Sequence, residues 1–551
     1  MKRLRKILIV LAVLALGGWL LSTVLMRAWT AKPPPLPADV SIMQGKVEVR
    51  DGKTWFGQSW VAKREGLLVI RLKGSPFALG YASGKLLQTQ MKTLEDEFLV
   101  MIHGYVPQEW KIKLLKGYVM FRNRRLSDYV SLEDRQQIYG TTLACPDPHP
   151  ELGDYYNRML NYHAAHDISY MMIDNPLVSK AGCTAFGAWG KATENGHLIT
   201  GRNFDWEAAE VFSRDRVVIM CEPEGGIPFI SLSWASMAGV VSGMNRSGVS
   251  VTINGAPSSL PGETATPVAM VARDVLQKSH NLNEALNIIS NTRVFVSTLW
   301  LVGSKADGRF VVVEKTPEKT NVREPEGDSI VSANHFQTAQ LKDDKRNLRY
   351  IAEATSVPRY TRMSELLETN RSAINARSSA AILRDRNLPG GKFAGNGHRS
   401  TLNALIATHA TIMDLTEGIF WAASPPNQLG KFVAFDVNDF DHELPALAVA
   451  EDPLVASGEF AKARLAHQSL REAQHALKRG EPQAALTAAE NAEAANPGFY
   501  QNAAMRGRAL RKLGRGLEAV KAFETALAEQ PAFLSEKEEL ETLLKQVREE
   551  K

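Results

Sequence analysis

Between residues 196 and 316 the chain packs seven short segments close together: "HLITGRNF", "RVVIMCE", "PFISLSW", "GVVSGMN", "GVSVTIN", "TLWLVG" and "RFVVVEKT". Each is rich in β-branched or aromatic residues, the composition that suits a half-buried pleated surface. A chain committed to so many neighbouring strands must cover at least one sheet face, and it needs further layers to do so. Turn chemistry fixes the pairing sense. "GMNRSGV" and "GSKADGRF" place Gly248 and Gly308 where a hairpin needs a left-handed residue, so adjacent strands are expected to be antiparallel. Residues 266–291 interrupt the strands with two helical segments, the second opening on an asparagine cap. Upstream, "KVEVR" and "LLVIRLK" read as strands and are followed by helical stretches to about residue 175. Downstream, a helical region spans about 345–385, and "TLNALIATHA" with "GIFWAAS" forms a hairpin-like pair near 401–424. Runs of strands beside runs of helices predict an α+β protein with helices layered on its sheets.

The two ends are built differently. "MKRLRK" carries four cations, and residues 7–26 then run twenty positions without a charge. That length suits a helix crossing ~30 Å of hydrocarbon. Cations ahead of it place the body of a single-pass protein on the extracytoplasmic side. A cleaved signal peptide is the competing reading, although its apolar region is usually only ~7–15 residues and no small-x-small site follows. A third is a chance apolar helix. "AKPPPLP" at 31–37 then reads as a stiff spacer.

From about residue 458 the chain turns rich in Ala, Glu, Leu and Lys, and it repeats. Gly480 and Gly514, Ala485 and Ala519, Ala488 and Ala522, Ala492 and Ala526, Pro497 and Pro531, and Phe499 and Phe533 are each 34 residues apart. Thirty-four is the tetratricopeptide period, and the alternative is an alanine-rich helical bundle. About three repeats are needed to stand alone. With about two, the tail is expected to pack on the main domain or to be capped by helices at 458–470 and 535–549. Its remaining surface is a candidate site for a protein partner. The expected units are therefore 1–30 (membrane helix), 31–64 (linker and leading strand), 65–450 (catalytic domain) and 458–551 (helical repeats). A chain of 551 residues is too long for a single core. Net charge is +5, spread over 65 basic and 60 acidic residues without a long basic block, so nucleic-acid binding is not suggested.

Three cysteines, Cys145, Cys183 and Cys221, leave at least one thiol free or bridged to another chain. A Cys145–Cys221 disulfide would suit an exported protein and spare Cys183. No Cys-x-x-Cys or His/Cys spacing supports a metal site, and no cofactor is expected. Taken alone, Cys183 in "AGCTAFGAWG" is a small core hydrophobe, "GRNFDW" a structural Arg–Asp pair and "SANHF" a loop. Together they suggest more. Gly182 leaves an unhindered carbonyl beside the thiol. If the thiol attacks it and the ester hydrolyses, Cys183 becomes a new N-terminus. Its α-amine, with a pKa near ~7.7–8.0, can serve as base for its own thiol. A papain-type pairing with His335, His398 or His409 is the alternative, but no papain-like signature surrounds Cys183.

Cys183 followed in order by "GRNFDW", "GMNRSGVSVTINGAP", "SANHF" and "HRSTLNALI" resembles the cysteine N-terminal nucleophile hydrolases. The similarity is to the isopenicillin-N acyltransferase family (acyl-CoA:6-aminopenicillanic acid acyltransferases), with choloylglycine hydrolases and acid ceramidase as cousins. "LLVIRLKGSPFALGYASGKLL" at 67–87 resembles the segment opening that branch, and the resemblance covers roughly 65–450. It implies a four-layer αββα sandwich acting on linear amides, as hydrolase or acyltransferase, with a small acyl amide or lipid-like substrate. By position, Cys183 resembles the nucleophile, Asp205 the group holding the α-amine, and Arg202 the cation favouring the thiolate. Asn254 resembles an oxyanion-hole donor, Asn334 the second asparagine that positions substrate and nucleophile, and Arg399 the late arginine of the site. A phospholipase B-like esterase on the same fold and an inactive scaffold are the other readings. The long segment before Cys183 and the repeat tail depart from the family pattern.

Overall fold

The computed structural model describes residues 26, 28–165, 167, 181–207, 209–235, 237–258 and 264–550. The apolar segment at 7–26 lies outside them except for its last residue. Among the described residues no helix is long and apolar enough to cross a membrane.

Two sheets carry the fold. The larger has eleven strands: β1 (Val47–Arg50), β2 (Lys53–Phe56), β3 (Ser59–Arg64) and β4 (Leu67–Gly74), then β7 (Arg216–Pro223), β8 (Phe229–Trp234), β9 (Ser242–Asn245), β10 (Val249–Gly255), β11 (Thr298–Ser304), β12 (Arg309–Lys315) and β13 (Thr320–Arg323), in that spatial order. The smaller, six-stranded sheet runs in the order β14 (Ser329–Ser332), β5 (Ala181–Gly190), β6 (Gly196–Trp206), β15 (Ala407–Asp414), β16 (Ile419–Ala423) and β17 (Phe432–Asp436). Hairpins dominate, as the turn residues predict: Gly248 (φ 78°) and Gly308 (φ 65°) sit in the left-handed region at the β9–β10 and β11–β12 turns. The exception is the parallel pairing of β4 with β7, which splices the N-terminal meander onto the rest of the sheet. The boundary expected at residue 65 therefore falls inside one continuous sheet, because β3 pairs with β4.

Alternating side chains sort into three cores. Val69, Val218, Leu232 and Leu301 of the large sheet meet Ala185, Met413, Phe420 and Phe435 of the small one, so the sheets are stacked face to face. The other face of the large sheet, with Ile70, Val217, Ile253 and Trp300, is covered by helices. These include α1 (Pro76–Leu86), α2 (Gln88–Tyr105), α4 (Leu132–Ala144), α5 (Tyr155–His163), α6 (Val268–Lys278) and α7 (Leu282–Asn291). α7 opens at Asn281, whose side chain accepts from the Glu284 amide. The far face of the small sheet, with Phe186, Ile199 and Ile412, is covered by α9 (Ser356–Thr369) and α10 (Ala376–Leu383), which follow α8 (Lys345–Glu353). The layers are therefore helix, sheet, sheet, helix. α3 (Glu109–Arg122) stands apart: none of its residues is buried.

The tail forms α11 (Glu459–Arg479), α12 (Pro482–Ala495), α13 (Tyr500–Lys512), α14 (Gly516–Ala528) and α15 (Leu534–Glu549), packed through small residues such as Ala485, Ala519, Ala522 and Ala526. The disulfide expectation fails: Cys145 and Cys221 are buried, unbridged thiols. Cys145 ends α4, whereas Cys221 projects from β7 into the core beneath the helical layer.

Candidate active site

Cys183 is the third residue of β5, an internal strand held between β14 and β6. The register sets Cys183 opposite Phe204 and Gly182 opposite Asp205. Side chains alternate along a strand, so Cys183, Ala185, Arg202 and Phe204 point between the sheets, while Gly182, Thr184, Asn203 and Asp205 face the α9–α10 layer. The two charges of "GRNFD" thus lie on opposite faces of the β5–β6 pair.

On the inner face, the Arg202 Nη2 lies 3.6 Å from the Cys183 Sγ. Arg202 is fully buried, and β9 and β10 hold its fork. It donates to the carbonyl oxygens of Val241 and Ile253, to the Ser242 hydroxyl and, at 3.3 Å, to the Asn254 Oδ1. All of these acceptors are neutral, so the guanidinium charge is not spent on a hydrogen-bonded carboxylate. Asn254 in turn donates to the carbonyl and hydroxyl of Ser332 on β14. His409 backs Arg202 at 3.4 Å and stacks on Phe204.

Asn334 holds the backbone of Cys183. Its Oδ1 accepts from the Cys183 amide at 2.8 Å, and its Nδ2 donates to the Gly255 carbonyl at 2.8 Å. Those partners fix which end of the amide is oxygen. The Asn334 amide donates to Ser356, which also bonds His335. His335 is thereby committed to a structural contact, and burial drives its pKa down to about 4.

On the outer face stands a residue that motif reading misses. Arg359 of α9 is 1 % exposed and donates to the Cys183 carbonyl (2.6 Å), the Thr184 hydroxyl (2.6 Å) and the Asn334 Oδ1 (2.8 Å). A Cβ on Gly182 would sit 3.1 Å from its Nη2. No motif surrounds "SVPRYTRM", but a signal exists: Arg359 shares the buried stripe of α9 with Met363 and Leu367, four and eight residues on. A charge on an apolar stripe calls for a partner.

Electrostatics follow from burial. Burial pushes the Cys183 thiol up, and Arg202 opposes it. Asp205 is pushed up to about 6 by burial, against the pull of Arg359, Arg399 and Arg202. Its buried Oδ1 has no hydrogen-bond partner among the described residues. Arg399 pairs with Glu207 at 3.3 Å, just past the end of β6. No cluster of three or more metal-binding side chains occurs among the described residues.

Residues 192–418 match the model of the acyl-coenzyme A:6-aminopenicillanic acid acyl-transferase family. The chain is similar to that family over residues 192–418 of its 551. The stretch matched to the acyl-transferase family begins just after Cys183 and holds Arg202, Asp205, Asn254, Asn334, Arg359 and Arg399. An uncharacterized protein of Archaeoglobus fulgidus is 25% identical over 392 residues, covering 65% of this chain and 63% of that protein. The N-acylethanolamine-hydrolyzing acid amidase of Caenorhabditis elegans is 23% identical over 220 residues, covering 38% of this chain and 57% of the amidase. The chain thus spans less than two thirds of each of these relatives. Among solved structures, a conjugated bile acid hydrolase from Clostridium perfringens aligns with a TM-score of 0.34 and 17% identity, over 47% of this chain and 95% of the hydrolase.

Proposed function

We propose that the protein is a cysteine N-terminal nucleophile amidohydrolase or acyltransferase that matures by cutting itself between Gly182 and Cys183. The observation that carries this reading is the pair of contacts on one residue: the Cys183 amide on Asn334 and the Cys183 sulfur beside Arg202. In maturation the Cys183 sulfur bonds to the Gly182 carbonyl carbon, the Gly182–Cys183 C–N bond breaks, and the thiol proton passes to the departing nitrogen. Water then hydrolyses the thioester, leaving a Gly182 carboxylate and a free α-amine and thiol on Cys183. Asn334 is already placed to hold that nitrogen. Asp205, across from Gly182 with an unpartnered oxygen, is the acceptor a new ammonium would fill.

In turnover the amine takes the thiol proton, and Arg202 stabilises the thiolate as it attacks the acyl carbon of a linear amide. The amine then protonates the leaving nitrogen. Water, or an acceptor amine in the transferase case, resolves the thioester. Asn254 is the candidate donor to the oxyanion, a role worth ~10²–10³ in rate elsewhere. Maturation is tested by denaturing gel and N-terminal sequencing of the wild type and of Cys183→Ala. The wild type should yield a fragment starting Cys-Thr-Ala-Phe and the variant should stay whole. A wild-type chain that never splits sinks the proposal.

We also place the protein at a membrane, with the main domain on the extracytoplasmic side. The uncharged stretch at 7–26 supports this, as does Trp29, which packs edge-on against Phe121 of α3. Trp110, Leu114, Tyr118 and Phe121 form an exposed stripe on α3, with Lys111 and Lys113 beside it. Release of the full chain from membranes by alkaline carbonate would overturn the placement.

A further inference from the structure

We propose that the helical tail is a positioning element of the site: it clamps the turn that delivers Arg399. This rests on the reading of Arg399 as a member of that site. The turn is Ala394–Ser400, "AGNGHRS", and its shape is set by the tail. Gly395 (φ 81°) and Gly397 (φ 87°) both lie in the left-handed region. A Cβ on Gly395 would come within 2.7 Å of the Phe499 side chain and 2.8 Å of its Cα, and one on Gly397 within 2.7 Å of the His467 Nε2. Two positions that need glycine for their conformation also need it for contact with the tail.

Between them, Asn396 is bracketed by one tail side chain. Its amide donates to the Asn496 Oδ1 at 2.9 Å, and its carbonyl accepts from the Asn496 Nδ2 at 2.8 Å. Asn496 is 2 % exposed, and Asn502 ties its own carbonyl down at 2.8 Å. His398 makes the next contact. Its Nδ1 accepts from the Ser400 amide, so Nε2 carries the proton and donates to the Gln530 carbonyl at 2.8 Å. Its ring lies edge-on to Tyr500 at 5.3 Å. Burial lowers the His398 pKa, consistent with the neutral tautomer.

Arg399 follows immediately. It pairs with Glu207, two residues beyond Asp205, and its charge is among those that oppose the burial-driven rise of the Asp205 pKa. The path therefore runs from Asn496 and His398 through one turn to Arg399, and from there to the carboxylates at the end of β6. Asn496 touches none of the reacting atoms and acts through the turn.

The test uses the full chain. Asn496→Ala, which removes both hydrogen bonds to Asn396, should raise hydrogen exchange across 394–403 while leaving β5 and β6 protected. It should also lower kcat/KM about tenfold, the size expected of one or two lost buried hydrogen bonds. In an Arg399→Ala background Asn496→Ala should cost nothing further, because the two lie on one path. Equal losses in both backgrounds, or unchanged exchange in the turn, overturn the clamp. Exchange needs no turnover: a wild type that lacks amide activity yet shows the exchange coupling refutes the enzymatic reading and leaves the clamp standing.

Discussion

Replacing Asp205 by asparagine in the uncleavable Cys183→Ala chain should make the fold more stable at neutral pH, not less. Asp205 is 2 % exposed and its Oδ1 has no hydrogen-bond partner among the described residues. Burial therefore outweighs the three nearby arginines and raises its pKa from 3.8 to about 6. Below about pH 4 the carboxyl is protonated in both folded and unfolded chains and contributes no difference. Between about pH 4 and 6 the unfolded chain has released the proton and the folded one has not, so stability falls as pH rises. Above pH 6 the full penalty is in place. The interval is a little over two pH units, or about 3 kcal/mol at ~1.4 kcal/mol per unit. Asparagine cannot ionise, so the stability difference between the two chains should grow by that amount from pH 4 to pH 7 and then level off. The assay is guanidinium unfolding of both chains at half-unit pH steps. A difference independent of pH, or one that grows toward acid, refutes the argument. The same substitution with Cys183 restored should slow maturation, because it removes the acceptor proposed for the new ammonium. The site would then be holding a destabilising charge for function.

Two further outcomes follow from Arg359. Arg359→Met removes donors to Cys183, Thr184 and Asn334 and should cost at least ~3 kcal/mol of stability in the Cys183→Ala chain. Arg359→Lys, which keeps the charge but not the fork, should fall between, as read from unfolding midpoints, and equal midpoints for all three chains would discard the role. Gly182→Ala puts a methyl 3.1 Å from the Arg359 Nη2. It should lengthen the precursor's half-life several-fold on a time-resolved gel, and wild-type kinetics would show that the guanidinium is not held against the scissile bond.

What the sequence made legible is what local chemistry controls. Gly248 and Gly308 mark their hairpins because a tight turn needs a left-handed residue, and Asn281 marks α7 because a helix start needs an acceptor. The inner cluster of Cys183, Arg202, Asn254 and Asn334 converges because each sits in or just past a strand whose motif is contiguous. The β4–β7 pairing is another matter. It joins residues about 150 positions apart, and no turn between them fixes their register.

Arg202 and Asp205 show how a contiguous motif hides its geometry. Three residues apart on a strand is an odd spacing, so the two charges must leave on opposite faces. Arg202 goes to the sulfur between the sheets. Asp205 goes to the outer face, where its neighbours are cations set by other elements: Arg359 from α9 and Arg399 from a turn shaped by the tail. The inner half of the site is thus built from motif residues that strand pairing brings together. The outer half depends on a helix and a tail whose sequences name no chemistry, because their task is to place a charge and a backbone rather than to react. A motif can report the groups that meet the substrate. The groups that hold the backbone around Cys183 are found only where a buried charge, such as Arg359, must be given a partner.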